Sequence, residues 1–161
     1  MRDIVKALIF MVALSFLSQP VLAYDPEGKG RDPTKGGHGH GRPKGPPADI
    51  PAHIKERTSP DGTGINLNNS QVGISGLVFM TSYSPLANVT TMALKGNLLG
   101  DEGAKILAES ATFTKVEKLS LWDNQLTALG AKQIASSAYL RNLTELNLMK
   151  NRVGDDGVIA L

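Results

Sequence analysis

Over residues 59–161 of this 161-residue chain, one pattern returns every 27 positions. "VTTMALKGNLLGDEGAKILA" begins at Val89, "VEKLSLWDNQLTALGAKQIA" at Val116 and "LTELNLMKNRVGDDGVIAL" at Leu143. Val89, Met92, Leu94, Asn97, Leu99 and Gly103 return as Val116, Leu119, Leu121, Asn124, Leu126 and Gly130. They return again as Leu143, Leu146, Leu148, Asn151, Val153 and Gly157. Leu86, Phe113 and Leu140 agree just before each start. A worn copy precedes these, where Ile65, Leu67, Val72 and Gly76 keep their places and Ser70 replaces the asparagine. A period in this range marks an array of small units, each too thin to bury its own apolar face, which stack to share a core.

Each unit reads as a strand followed by a helix. "MAL", "LSL" and "LNL" alternate apolar and polar residues, as a half-buried strand requires. Ala104, Leu107, Ala108 and Ala111 fall on one helical stripe, and Ala131, Ile134, Ala135 and Ala138 on the next. Asp101 and Thr127 are placed to cap the helix starts. Strand then helix, repeated, predicts an α/β fold with a parallel sheet covered by helices. The units run 59–85 (degenerate), 86–112, 113–139 and 140–161 (incomplete), about three and a half repeats in all.

The LxxLxLxxNxL pattern, with glycine four residues later and "AKxxA" after it, resembles the leucine-rich repeat family, in particular its ribonuclease-inhibitor-like type. That resemblance implies a curved solenoid with parallel strands on the concave face and helices on the convex face. It also implies that Asn97, Asn124 and Asn151 form a ladder, each amide bonding backbone groups of its own and neighbouring turns. Ser70 has a shorter reach, so the first turn is expected to be looser.

Upstream of the repeats the composition changes. Arg2 and Lys6, the apolar run Ala7–Leu17 and "VLA" before a cut after Ala23 read as a signal peptide over residues 1–23. The apolar run is shorter than the roughly 20 residues a membrane span needs, and Gln19-Pro20 breaks it. The expectation is a secreted or periplasmic protein with no membrane attachment after cleavage. Residues 24–58 are expected to be a disordered linker, because seven glycines and six prolines crowd Tyr24–Pro51. His38 and His40 read as solvated linker and not as a metal site, and His53 also lies in or beside that segment.

The absence of cysteine excludes disulfides, thiolate zinc sites and a cysteine nucleophile. A net charge of +2 gives no reason to expect nucleic acid. The repeats hold no histidine, and no serine has a base placed beside it, so neither enzymatic activity nor a cofactor is expected. The pairs Asp101-Glu102 and Asp155-Asp156 are explained by the dipole at a helix start. Asn68, Asn88 and Asn142 each begin a glycosylation sequon.

Function is expected on the concave face, with a protein as partner. If Leu119 and Leu121 point inward, Ser120 and Trp122 point out. Lys95, Trp122 and Met149 then share one row, with Asp123 and Lys150 one position further on. Ser120 and Asn147 precede the row, and Thr91, Lys118 and Glu145 lie outermost. Trp122 either anchors a partner or lies flat over its neighbours with the Lys95 stem on its ring. The alternative function is structural: self-association through the C-terminal end, where Leu146, Leu148, Val153 and Leu161 are expected to be bare.

Overall fold

Three-residue strands and short helices alternate through residues 46–161, the part of the chain that the computed structural model describes. The predicted signal at 1–23, and the predicted linker up to residue 45 with His38 and His40, lie outside the described residues. The strands β1 (Gly64–Asn66), β2 (Thr91–Ala93), β3 (Lys118–Ser120) and β4 (Glu145–Asn147) pair in parallel and in chain order. Thr91 pairs with Lys118 and Lys118 with Glu145, so the register offset equals the sequence period. Each strand buries its middle residue, Ile65, Met92, Leu119 or Leu146. The flanking residues face away from the core, as the pleat requires.

Each strand is followed by a helix: α2 (Gly73–Ser82), α3 (Gly100–Glu109), α4 (Ala128–Ala135) and α5 (Gly154–Ile159). Leu77, Met80, Ala104, Leu107 and Ile134 from these helices join the strand residues in one continuous core. The repeated glycine permits close packing there. A Cβ on Gly103 would sit 2.6 Å from Leu99 Cβ and 3.2 Å from Leu77 Cδ1, so the first turn of α3 has no room for one. No helix among the described residues is long and apolar enough to cross a membrane.

Several expectations need correction. Asp101 does not cap α3, whose N-cap position is Leu99 without a side-chain bond. Its carboxylate instead reaches the next unit, accepting from Thr127 N at 2.8 Å, Thr127 Oγ1 at 2.6 Å and Gly130 N at 2.9 Å. Burial pushes the Asp101 carboxyl up, but the Thr127 hydroxyl and the two backbone N–H groups hold it below the usual carboxylate range. Thr127 does cap α4, accepting from Leu129 N at 3.2 Å. Ala111 and Ala138 lie beyond the ends of α3 and α4 and are exposed, and Ala135 is the exposed last residue of α4.

The largest correction falls on the predicted linker. Residues 50–57 form a helix, α1 (Ile50–Arg57), inside the stretch expected to be linker up to residue 58. Asp49 Oδ1 accepts from Ala52 N at 2.9 Å, and Pro51 sits in the first turn, where its missing N–H costs nothing. Lys55 and Arg57 occupy the last turn, where positive charge suits the helix dipole. Ile54 is fully buried and closes the core beside α2. His53 is half-buried, its Nε2 3.0 Å from Ser70 Oγ. Thr58 forms an antiparallel bridge with Ile65.

The C-terminal patch also differs from expectation. Leu146 and Val153 are buried, while Leu148 and Leu161 are partly covered and pack on the core. α5 packs beside α4, and Val158 and Ile159 are the exposed apolar side chains of α5. Because Ile54 is the buried side chain of α1, Ile54→Ala is expected to cost about 3 kcal/mol, read by urea unfolding. Limited proteolysis should leave a fragment beginning near Asp49. An unchanged unfolding midpoint would show that α1 does not hold the first unit.

Candidate interaction face

The sheet face opposite the helices carries the side chains that sequence alternation places outward. Leu119 and Leu121 are buried, whereas Ser120 and Trp122 are half-buried on the other side. Backbone pairing continues past the short strands. Asn69 N donates to Lys95 O at 2.6 Å, Gly96 N to Trp122 O at 2.9 Å and Asp123 N to Met149 O at 2.9 Å. Lys95, Trp122 and Met149 therefore stand side by side at strand spacing.

Two ammonium groups approach the indole. Lys95 Nζ lies 3.6 Å from the ring centroid and Lys150 Nζ 5.3 Å from it. Both are within cation–π reach. The indole Nε1 is buried and makes no hydrogen bond. Met149, next in the row, is 42% exposed.

Asp123 and Lys150, expected as ordinary face positions, are turn residues. Each has φ of 56°, and the matching Asn69 and Gly96 have 54° and 67°. The chain leaves the sheet here through a left-handed residue, a conformation that costs a side-chain-bearing residue about 1–2 kcal/mol. Sequence reasoning missed this constraint, although Asn69 and Gly96 are the residue types that tolerate it best. Lys150 still reaches the indole from that turn.

The three asparagines hold the turns. Asn97 Nδ2 donates to Leu67 O and Leu94 O, both at 2.8 Å, and to Lys95 O at 3.2 Å. Asn124 Oδ1 accepts from Asn97 N at 2.9 Å and Leu99 N at 3.4 Å. Its Nδ2 donates to Leu94 O at 2.8 Å and Trp122 O at 3.2 Å. Asn151 Oδ1 accepts from Asn124 N at 2.9 Å and Leu126 N at 3.0 Å, and its Nδ2 donates to Leu121 O at 2.8 Å. In the first unit Ser70 N turns to Leu67 O at 3.2 Å instead, and Asn97 Oδ1 receives Val72 N at 3.3 Å.

Apart from Ala93, the other side chains that strand alternation places on this face are polar. Lys118 Nζ and Glu145 Oε1 form an exposed ion pair at 2.5 Å. The hydrogen bond and charge of Glu145 raise the Lys118 pKa above the ordinary lysine value. Asn147 Oδ1 accepts from Met149 N at 3.0 Å, Asn66 Oδ1 from Asn68 N at 3.2 Å and Asn68 Oδ1 from Lys95 N at 2.9 Å. Of the other sequon residues, Asn88 accepts from Lys115 Nζ and Asn142 donates to Thr114 O, each at 2.7 Å. The acidic pairs Asp101-Glu102 and Asp155-Asp156 occupy the first turns of α3 and α5.

A family model described as a leucine rich repeat matches residues 139–161, the stretch that contains β4 and α5. No curated protein matches the chain.

Asn124 is fully buried and serves four backbone groups. Asn124→Ala should therefore cost about 3 kcal/mol or more, because the deserted N–H and C=O groups stay buried. Asn151→Ala, at a half-buried position, should cost less. Equal and small losses in chemical denaturation would contradict a dominant role for the buried amide.

Proposed function

We propose that this chain, a leucine-rich repeat protein by its matched unit and its in-register parallel sheet, binds another protein through the concave strand face of a solenoid of the ribonuclease-inhibitor-like type. One observation carries the reading. Trp122, the sole tryptophan, stands half-exposed on the sheet face opposite helices α2 to α5, between Lys95 and Met149 in one row. Large, rigid side chains in such a setting are the ones on which binding energy concentrates. Ser120 and Asn147 form the floor next to that row, and Asp123 and Lys150 border it from the turns.

The chain carries this face outside the cytoplasm, as a secreted or periplasmic protein. Support comes from the positive start, apolar run and small-residue cleavage pattern of residues 1–23. The mature protein recovered from its native source should begin at Tyr24, read by N-terminal sequencing. Recovery of the chain with Met1 in the soluble cytoplasmic fraction would refute export.

A photo-crosslinking residue at Met149 should capture the partner, and the same residue at Lys105 in α3 should not. With that partner in hand, Trp122→Ala should weaken binding by about 2 kcal/mol or more. Lys105→Ala should have little effect. If Trp122→Ala leaves affinity intact while lowering the melting temperature, the indole only covers its neighbours and the docking face lies elsewhere.

A further inference from the structure

We infer that the segment docking on this face is an acidic, extended stretch of the partner protein. The inference rests on the proposed use of the strand face, and it specifies the chemistry that face selects. Lys95 and Lys150 converge on the Trp122 ring, and neither has a carboxylate partner among the described residues. The third lysine of the face, Lys118, is neutralised by Glu145. Uncompensated positive charge is therefore concentrated at the aromatic end of the sheet. Asp123 is the one carboxylate there, and it forms no ion pair.

The asparagines add to this polarity. Backbone N–H groups engage the side-chain oxygens of Asn66, Asn68 and Asn147, which fixes the amide orientation. Their Nδ2 groups have no acceptor among the described residues and remain as donors on the face. Lysine and amide donors in one place, with Asp123 as the one carboxylate beside them, complement a ligand rich in acceptors. Lys95 follows β2 and Lys150 follows β4, about 10 Å apart at the backbone, and their ammonium groups come closer where they lie 3.6 and 5.3 Å from one ring centroid. That separation is within the span of about two to three extended residues, so two acidic side chains on one short segment reach both lysines. Nucleic acids and sulfated glycans carry far denser charge than two lysines beside Asp123 and Glu145 can match.

Trp122 is the only tryptophan, so its emission reports on this site alone. The test titrates the full mature chain with a short peptide of alternating Glu and Ala, and with its Gln-for-Glu counterpart. The acidic peptide should shift Trp122 emission in a saturable, salt-sensitive way, and the Gln peptide should not. Lys95→Gln and Lys150→Gln should each weaken binding about two- to fivefold, the range for an exposed charge pair. Lys105→Gln, on the helix side, should leave it unchanged. Asp123→Asn should tighten binding, an opposite sign that loss of structure does not produce.

Equal binding of both peptides would overturn the acidic class while leaving the docking face in place. So would tighter binding of a heparin fragment or an oligonucleotide than of the acidic peptide. No response to either peptide, together with partner affinity indifferent to Trp122→Ala, would overturn both readings.

Discussion

The fold depends on a relay of side-chain amides at the point where the chain turns off each strand. A backbone that leaves a sheet for a buried turn strands N–H and C=O groups away from water, and each must be paired. Asn124 meets this need between units: its oxygen takes N–H groups of the preceding turn, and its NH2 donates to the carbonyls of Leu94 and Trp122. Asparagine alone combines two donors and an acceptor at that short reach. The relay thus fixes both the offset between units and the turn that ends each strand. Asp101 adds a second clasp on the helical side, tying α3 to the start of α4 through Thr127 and Gly130.

Because the relay bonds the carbonyl of Trp122 itself, the functional candidate and the scaffold share atoms. The indole cannot drift along its strand, since its backbone is held by Asn124 on one side and by Gly96 N on the other. The same tight turn forces Asp123 and Lys150 into left-handed conformations. Some local strain at the rim of the face is therefore the consequence of ending each strand abruptly. It also sets where Lys150 starts, and from there its ammonium reaches the ring.

Much of this was legible in the sequence, for a physical reason. A period of 27 with fixed apolar positions leaves one way to stack the units, and the strand register reproduces that offset. The row of Lys95, Trp122 and Met149 followed from alternation alone. What escaped was information that a composition window averages away. Proline and glycine around residues 24–51 masked Asp49 and Pro51, a cap and first-turn pair that start α1. The contact of His53 with Ser70, 17 residues away, leaves no mark on local composition. Asp101 was assigned to its own helix because reach into the next unit is a property of packing, not of sequence spacing.

The geometry around Trp122 also bears on whether the indole is cover or anchor. Covering the sheet between Lys95 and Met149 requires only apolar area, which a leucine or methionine supplies without a polar atom. Trp122 instead buries Nε1 without a hydrogen bond, a cost of about 1–3 kcal/mol. The two ammonium groups over the ring return about 0.5–1 kcal/mol each at exposed sites. The apolar area that the half-buried indole removes from water, at about 25 cal/mol per Å², still favours the covered position, and the unpaired N–H reduces that gain. A leucine would give the same cover without that penalty, so the indole N–H is the feature of Trp122 that its own fold leaves unused.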